Sequence, residues 1–433
     1  MFFKKNKPVI RERNNHCISR SNIDPDAVKV LYRLANNNYT SYLVGGSVRD
    51  LLLNRTPKDF DISTDAQPNQ IRKLFRNCFL IGRRFRLAHI VFGRKVIETS
   101  TFRATPKTVK GDKGLYQSED NTFGTPAEDA LRRDLTVNGL FYDIKTFSVI
   151  DYVGGLKDLE KKVIRSIGNP NVRFREDPVR MMRAIKFAAK LDFTLESSCS
   201  KALKQHHADI LNASVPRISE EVYKLFTVNA SEQAFRMMWK FKLLEDLLAP
   251  VSEFIDRSGG NKSPVWKYLA ALDAMPDNGN FTNGIRTAVL YYPLFLEECE
   301  QEQKSSARGG RVNRLHVARR VLRPLSSLLS IPKAVFYTAV AVMEMVPRFE
   351  KMSSSARTER FARNSNFLDA YTFMQILEKA GDVDEKILEQ WKELHKGVLK
   401  SVMSKSSDEK ENFAHRKRHH QGRSHRKRSK PEK

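Results

Sequence analysis

The sequence predicts an α/β (α+β) head followed by all-helical neck and body domains and a disordered basic C-terminal tail. Short runs rich in β-branched and aromatic residues, among them LAHIVFG and KVIETSTF, alternate with helical patterns in the first 155 residues. From residue 173 to 247 the apolar residues recur almost only at helical spacing. Nearly every residue after position 403 is basic or small and polar, and such a segment cannot bury enough apolar surface to fold alone.

Changes in composition along the chain define the domain boundaries. Residues 1–22 are basic and polar, so we expect a loose arm. The mixed region ends near Gly155, and a polar break near residue 256 precedes another helical unit. We therefore divide the chain into a basic N-terminal arm, a head, a helical neck, a helical body and a disordered basic tail, at residues 1–22, 23–155, 156–250, 251–402 and 403–433.

The composition indicates a polyanionic partner and a cytoplasmic protein. The 433 residues include 76 Lys and Arg against 50 Asp and Glu, a formal charge of +26. This surplus favours nucleic acid as a partner, although the basic tail supplies part of it. The 4 cysteines form no CxxC pair, so neither a disulfide framework nor a zinc site is indicated. No apolar run approaches the roughly 20 residues of a membrane-spanning helix, so we expect no membrane partner.

The stretch from Tyr42 to Asp61, YLVGGSVRDLLLNRTPKDFD, has the layout of a metal-dependent nucleotide site. A strand that ends in Gly45 and Gly46 lets a phosphate approach bare backbone, and the N–H groups of the next helix face the anion. Asp59 and Asp61, two apart, are expected on one side of an extended strand, where they can hold Mg²⁺ and a triphosphate. A tight turn followed by a charged surface loop is the alternative, but the order and spacing favour the catalytic interpretation.

The segments GGSVRD and PKDFD resemble the opening of the class II nucleotidyltransferases of the polymerase β superfamily. That family contains the CCA-adding tRNA enzymes and the bacterial poly(A) polymerases. The resemblance runs at least from Tyr42 to Leu191, with Ser47 where the family usually has Gly or Ala. It implies a nucleotidyltransferase head in which Asp59 and Asp61 are catalytic and bind the cofactor Mg²⁺, with ATP as a substrate.

The glycine turn supplies the first nucleotide-binding residues that the resemblance implies. These are Gly45, Gly46 and Arg49. Arg49 and the neighbouring Asp50 are expected to brace the turn more than to touch the substrate.

The segment LRRDLTVNGL at residues 131–140 is predicted to be helical. An ordinary solvated helix start is the alternative interpretation. The segment is similar to the family's RRDFTxN motif, with Leu135 in place of the usual Phe. The similarity implies that Arg133 and Asp134 contact the ribose and phosphates of the nucleotide, and we add Asn138 to the nucleotide-binding residues and Asp134 to the catalytic ones.

Glu98, in KVIETSTF, is a further candidate acid. On a strand its side chain faces away from the side that Ile97 and Thr99 share. A half-exposed strand glutamate without a catalytic role is the alternative. In the family an acid at the matching place, just before TFR, lies near the metal pair, so either Glu98 or Asp134 is the third essential carboxylate.

A third segment, REDPVR, is predicted to open a helix with Asp177 as the N-cap and Pro178 at the first position. Asp177 and Arg180, three apart, are then on one helix face. A carboxylate acceptor beside a guanidinium donor matches the Watson–Crick edges of adenine and cytosine, whereas guanine and uracil present the reverse. The segment resembles the family's EDxxR pattern, which selects ATP or CTP, so both residues are expected to bind the nucleobase without separating A from C.

The segment LIGRRFRLAHI at residues 80–90 is a basic loop suited to the RNA backbone through Arg83, Arg84 and Arg86. A solvated charged hairpin is the alternative. The segment is similar to a signature of the bacterial poly(A) polymerases as opposed to the CCA-adding enzymes.

The resemblance therefore implies template-independent addition of AMP from ATP to RNA 3′ ends. A CCA-adding tRNA nucleotidyltransferase is the first alternative, and a non-catalytic RNA-binding adaptor is the second. The expected partners are RNA 3′ ends, ATP and the RNA-degradation machinery, and the chain is expected to be a monomer in the cytoplasm.

Overall fold

The computed structural model describes residues 7–82, 86–104, 108–110, 116–118, 122–276, 280–305, 312–350 and 355–394. The chain forms two compact units. The first spans Met1–Arg217 and Lys240–Asp246, and the second spans Ile218–Trp239 and Leu247–Lys433. The predicted head and most of the predicted neck thus lie in one unit, and their separation into independent domains stays a prediction.

The first unit is built on an eight-stranded sheet with the order β1-β10-β9-β2-β3-β6-β5-β4. Within this sheet β3 and β6 run parallel, and the other neighbours run antiparallel. The strands are β1 (Val9–Arg11), β2 (Ser41–Val44), β3 (Asp61–Thr64), β4 (Cys78–Ile81), β5 (Leu87–Phe92), β6 (Lys95–Thr101), β7 (Thr108–Lys110), β8 (Tyr116–Ser118), β9 (Leu140–Asp143), β10 (Ser148–Asp151), β11 (Val163–Ile164) and β12 (Thr194–Leu195). Strands β7 and β8, and β11 and β12, form two small sheets.

Helices of the first unit connect and cover these strands. They are α1 (Pro25–Asn36), α2 (Gly46–Leu52), α3 (Pro68–Leu74), α4 (Pro126–Arg132), α5 (Gly155–Glu160), α6 (Pro170–Glu176), α7 (Val179–Leu191) and α8 (Ser197–His206). Single turns of 3-10 helix occur at Arg13–Asn15, Arg20–Asn22 and Thr136–Asn138, and a longer one at His207–Asn212.

The rest of the described chain is helical. Its helices are α9 (Val215–Leu225), α10 (Ser231–Lys240), α11 (Leu243–Leu247), α12 (Ala249–Arg257), α13 (Val265–Asp273), α14 (Asn283–Ser305), α15 (Arg314–Leu329), α16 (Lys333–Glu350), α17 (Ser355–Ala362), α18 (Phe367–Lys379) and α19 (Glu385–Leu394), with a 3-10 turn at Gly260–Lys262.

Local sequence signals explain where helix α1 begins. The Asp24 carboxylate accepts a hydrogen bond from the Asp26 N–H at 2.8 Å, and Pro25 occupies the first helical position. Both are favourable because the first helical N–H groups have no partner within the helix. Asp followed by Pro is a helix-start pattern in the sequence, and α1 begins at that point.

The two faces of the large sheet are covered differently. One face packs against α1 and α3 and buries Leu43, Ile62, Ala88, Ile90 and Ile97. The other face is covered near β2 and β9 by an apolar cluster of Val44, Phe102, Ala130, Phe141 and Ile150. Toward β4 this second face carries exposed side chains.

The prediction of a loose arm over residues 1–22 is wrong for part of the described chain. Val9–Arg11 adds a strand to the edge of the sheet, with Ile10 opposite Ile150. The three residues VIR have little effect on the average composition of residues 1–22, so the composition does not indicate a strand there. Their two β-branched side chains nevertheless favour a strand at the open antiparallel edge of the sheet.

The α/β (α+β) head followed by helices is confirmed. The predicted tail, residues 403–433, lies outside the described residues. Among the helices that the structure describes, none is long and apolar enough to cross a membrane.

Candidate active site

Strand pairing brings the glycine turn and the acidic motif together. Val44, the last residue of β2, lies opposite Asp61, the first residue of β3. Gly45 follows directly, and helix α2 begins at Gly46. The two halves of the predicted motif, separated by a helix and a loop in sequence, therefore meet at one end of two adjacent strands.

Gly45 has a backbone conformation that requires glycine. Its φ is 72° and its ψ is −129°, a region that residues with a Cβ rarely occupy. A Cβ at this position would lie 2.9 Å from Nη1 of Arg133. The Gly45 N–H donates to the Leu140 carbonyl at 3.1 Å and is therefore already used within the protein. The backbone donors that remain for a phosphate are the first N–H groups of α2.

Asp61 and Glu98 are neighbours on the parallel strands β3 and β6. Ile62 pairs with Thr99, which puts the preceding residues side by side. The surrounding protein displaces water from Asp61 and raises its pKa to about 6, although the residue is still partly exposed to solvent. The negative charges of Glu98 and Asp59 add to this rise in pKa, and the positive charge of Arg133 opposes it. Strand β3 begins at Asp61 and does not include Asp59, so the expectation that both carboxylates lie on one side of an extended strand stays a prediction.

These carboxylates fit a magnesium ion in the chemistry of their donors. Hard carboxylate oxygens are the ligands that Mg²⁺ prefers, and Mg²⁺ sites commonly use one or two carboxylates together with substrate phosphates. Desolvation and, to a smaller extent, the negative charges of Glu98 and Asp59 raise the pKa of Asp61, and a bound cation offsets the charge repulsion. In the part of the chain that the structure describes, no group of three or more His, Cys, Asp or Glu is arranged to hold a metal ion.

Arg133 lies over the glycine turn. Its Nη2 is 2.9 Å from the Asp129 carboxylate, and its guanidinium lies 5.4 Å from the centre of the Phe141 ring. It also donates to Ser63 at 3.5 Å. The side chain is fixed between α4 and the sheet, with its charged end next to Gly45.

The prediction of a helix through residues 131–140 is wrong. Helix α4 ends at Arg132, and Arg133 has an extended backbone with a ψ of 170°. A separate 3-10 turn then covers Thr136–Asn138. At this break the Arg133 side chain lies next to Gly45, and the Asp134 carboxylate accepts from Arg183.

Asp134 is held by protein groups through both carboxylate oxygens. One oxygen accepts from Nε of Arg183 at 2.6 Å, and the other accepts from the Leu135 N–H at 2.8 Å and the Asn138 amide at 3.4 Å. Burial alone would raise the pKa of Asp134, but the Arg183 charge and these hydrogen bonds lower it below its usual value. We therefore favour Glu98 over Asp134 as the third carboxylate near the metal position.

Arg49 holds together the elements that surround the glycine turn. Its side chain is 2% exposed, its Nε donates to Asp50 at 2.8 Å, and its Nη1 donates to the Asn138 amide oxygen at 2.5 Å. The guanidinium lies 4.9 Å from the Phe187 ring centre. These contacts connect α2, the 3-10 turn and α7, and they leave Arg49 and Asn138 better suited to positioning than to nucleotide contact.

The prediction that Asp177 caps a helix and shares its face with Arg180 is wrong in detail. Helix α6 ends at Glu176, Asp177 is the residue that follows, and α7 begins at Val179 without a side-chain cap. Pro178 disfavours a helical backbone at Asp177. Nε of Arg180 is nevertheless 3.9 Å from Oδ2 of Asp177.

Asp177 keeps one acceptor available. Its Oδ2 accepts from Arg217 at 2.8 Å. Its Oδ1 is buried and has no hydrogen-bond partner among the described residues. A buried acceptor without a partner costs about 1–3 kcal/mol, so a ligand donor at this point would be stabilising.

Arg173 is a positioning residue that sequence reasoning missed. Its Nη2 donates to the carbonyls of Arg132 and Arg133, at 2.8 and 2.9 Å, and so fixes the backbone that aims Arg133. The partners are about 40 residues apart in sequence, and neither the spacing nor the composition indicates the contact.

Of the predicted RNA-binding arginines, Arg83 and Arg84 lie outside the described residues, whereas Arg86 is exposed just before β5.

Replacing Gly45 with alanine is expected to lower stability by about 1–3 kcal/mol and to raise the KM for the nucleotide about tenfold. The first effect follows from the positive φ, and the second from displacement of the Arg133 guanidinium from a charge-assisted contact. Thermal denaturation and steady-state kinetics measure the two effects.

Gly154→Ala is the matched control for this substitution. Gly154 also has a positive φ, of 84°, but a Cβ there meets nothing within 4 Å. We expect a loss of stability without a change in KM. Equal KM values for the two variants would show that the Gly45 contact with Arg133 does not serve nucleotide binding.

Three family models match the chain. The Poly A polymerase head domain matches residues 41–165. The model described as "Probable RNA and SrmB- binding site of polymerase A" matches residues 192–254, and the Polymerase A arginine-rich C-terminus matches residues 315–433.

Named relatives fall into two groups. Poly(A) polymerase I of Salmonella typhi is 41% identical over 317 residues, a match that covers 70% of this chain and 66%, just under two thirds, of that protein. The CCA-adding enzyme of Lactobacillus helveticus is 31% identical over 324 residues, covering 70% of this chain and 80% of the relative.

A solved structure shares the fold. The CCA-adding enzyme of Bacillus stearothermophilus in complex with CTP superposes with a TM-score of 0.63 at 24% identity, over 87% of this chain and 83% of that one. The structure shows the fold, and the sequence relatives and the matched head domain place the chain in the family of nucleotidyltransferases that includes the poly(A) polymerases and the CCA-adding enzymes.

Proposed function

We propose that the chain is a template-independent poly(A) polymerase that transfers AMP from ATP to the 3′ end of RNA. The observation that carries the proposal is the strand register, which brings the glycine turn, Asp61 and Glu98 to one point of the sheet. Backbone donors beside paired carboxylates suit nucleotidyl transfer, because charge develops on the oxygens around the reacting phosphorus. The 41% identity to poly(A) polymerase I favours ATP and RNA as substrates.

The triphosphate would lie against Gly45 and Gly46, with the Arg133 guanidinium beside it. A magnesium ion held by Asp59 and Asp61, with Glu98 nearby, would activate the RNA 3′-hydroxyl and neutralise the leaving pyrophosphate. The protein itself contributes mainly orientation: the 3′-oxygen bonds to the α-phosphorus as the bond to pyrophosphate breaks, and both must stay in line.

Asp177 and Arg180 would bind the base. The buried Oδ1 of Asp177, which has no protein donor among the described residues, can accept from an exocyclic amino group. Arg180 can donate to a ring nitrogen. Its Nη1 is also held by the Arg173 carbonyl at 3.1 Å, so the guanidinium is oriented before the nucleotide arrives. Both adenine and cytosine satisfy this pair, so the choice of ATP over CTP needs further groups.

The acceptor is proposed to be RNA held mainly through its phosphates. Arg86 is exposed beside the sheet, and the chain carries a formal charge of +26. Phosphate-dominated binding is insensitive to sequence and falls steeply with salt. The cytoplasmic location, the monomeric state and a partner in the RNA-degradation machinery remain predictions from the sequence.

A CCA-adding tRNA nucleotidyltransferase is the second candidate. It is favoured by the CCA-adding relative, which aligns over 80% of its own length, and by the ability of Asp177 and Arg180 to accept either base. A non-catalytic RNA-binding adaptor fits less well, because the glycine turn and the acids that face it are all present.

A comparison of two substrate sets tests the proposal. Purified protein is given ATP alone with oligo(A), or CTP and ATP with tRNA that lacks its CCA end, and the products are resolved on a sequencing gel. We expect long tails on oligo(A) from ATP alone. Addition that stops after the CCA end of tRNA, with oligo(A) left unextended, would instead identify a CCA-adding enzyme, and no addition to either acceptor would favour the adaptor.

A further inference from the structure

We propose that the open half of the large sheet, on β4, β5 and β6, binds the last nucleotides of the RNA acceptor, with one base stacked on Phe79. We call Phe79, Ile81 and His89 the stacking face. The inference rests on the proposed function, because it names the place on the head where the acceptor strand would lie. It adds a binding site to the phosphate contacts that the basic residues supply.

The stacking face is one end of a row of cross-strand partners that leads to the carboxylates. Phe79 on β4 lies opposite His89 on β5, and His89 lies opposite Glu98 on β6. Directly opposed residues point to the same face of a sheet. Glu98 in turn is the neighbour of Asp61 on β3. The side chains at the metal position and the Phe79 ring therefore share one face.

The length of this row suits a short piece of single strand. Neighbouring strands are about 4.8 Å apart, so three steps from Asp61 to Phe79 span roughly 14 Å. Stacked nucleotides advance about 3.4 Å each, so about four of them cover the row. An RNA whose 3′-hydroxyl lies at the carboxylates can thus place an upstream base over Phe79.

Two of the three residues of the stacking face are apolar and exposed, and the third, His89, is half-buried with its Nε2 3.5 Å from the Glu98 carboxylate. Phe79 is 62% exposed and Ile81 is 49% exposed, whereas Cys78, Ala88 and Ile90 on the opposite face of the same strands are buried against the head. Two exposed large apolar residues on an edge strand favour association with another molecule.

Charge favours RNA as the occupant. Arg86 is exposed at the start of β5 and can contact a phosphate of a strand that crosses the face. Bases stack on aromatic side chains with little dependence on sequence, as an enzyme that lengthens a homopolymer requires. A second copy of the chain is the less suitable occupant, because two molecules that each carry a formal charge of +26 repel one another.

Binding of labelled oligo(A), measured by fluorescence anisotropy without ATP or metal, tests the inference. Phe79→Ala is expected to weaken binding about tenfold, because stacking of one base is worth about 1–3 kcal/mol. Phe79→Trp keeps an aromatic surface and should bind within about twofold of the unchanged chain. Ile10→Ala is the matched control: Ile10 is 57% exposed on β1, at the other edge of the same sheet, and its loss should leave binding unchanged.

Photocrosslinking of the unchanged chain gives a second measurement that needs no variant. Oligo(A) with a single 4-thiouridine near its 3′ end should crosslink to the peptide that contains Phe79, most strongly with the label about four nucleotides from the end. Both assays measure RNA binding and not catalysis. A protein that bound oligo(A) but did not extend it would therefore refute the proposed function and leave the stacking face to be decided by the binding results. Equal binding by Phe79→Ala and Ile10→Ala, or a Phe79→Ala effect confined to self-association in sedimentation, would overturn the stacking face.

Discussion

Replacing Asp61 with asparagine is expected to lower kcat by at least about a thousandfold, which corresponds to about 4 kcal/mol of transition-state stabilisation. Asparagine keeps the size of the side chain but removes the charge that holds the metal. Asp61 adjoins both the glycine turn and Glu98, so no other described carboxylate occupies the same place. Steady-state extension of oligo(A) with ATP measures the effect.

Asp65→Asn is the matched control for this loss of charge. Asp65 directly follows the same strand at its opposite end, where its carboxylate accepts from the Thr40 N–H at 2.9 Å. Asparagine can accept the same hydrogen bond, so we expect activity within about twofold of the unchanged chain. Comparable losses in both variants would point to a general effect on β3 and contradict a catalytic role for Asp61.

The raised pKa of Asp61 adds a pH dependence to this prediction. Because its pKa is about 6, the carboxyl group gains a proton as the pH falls through that value, and the protonated form is a poor metal ligand. Activity should therefore decline below about pH 6, and more magnesium should shift the decline to lower pH because metal and proton compete. If the decline in activity did not depend on the magnesium concentration, a group other than Asp61 would be responsible for it.

The sequence predicts most reliably those features that depend on residues close together in the chain. The glycine turn and the α1 start are determined by neighbouring residues, and both are found where the patterns indicate. The third carboxylate could not be chosen in this way. Glu98 adjoins Asp61 only because β3 and β6 run parallel, and no local pattern predicts which strands become neighbours.

Helix boundaries near the site are a second limit of sequence reasoning. The periodicity of LRRDLTVNGL is compatible with a helix, yet the carbonyls of Arg132 and Arg133 accept from Arg173, and α4 stops there. A partly buried guanidinium that donates to two carbonyls replaces the hydrogen bonds that a longer helix would have made. Tertiary contacts of this kind override local propensity, and they are concentrated around functional sites.

Replacing Arg183 with alanine is expected to destabilise the fold by about 2–3 kcal/mol at neutral pH. Asp134 is 10% exposed and would lose the 2.6 Å contact that balances its charge. Removing one partner of a fully buried pair costs about 3–5 kcal/mol, and the cost is smaller here because Arg183 is 34% exposed. Urea denaturation measures it. Arg175→Ala, which removes an exposed guanidinium of α6, should change stability by less than about 0.5 kcal/mol.

The cause of this loss can be separated from a simple loss of packing. The pKa of Asp134 is lowered in the folded chain, so the stabilisation from its pairing is present above the unfolded pKa of about 3.9 and disappears as the pH falls through the folded value. The difference between Arg183→Ala and the unchanged chain should therefore shrink as the pH falls below about 3.9 and through the lowered folded pKa of Asp134. Adding Asp134→Asn to Arg183→Ala should recover part of the lost stability, because it removes the unbalanced buried charge. A pH-independent difference, or a double variant less stable than Arg183→Ala alone, would mean that Arg183 acts through packing and not through the charge of Asp134.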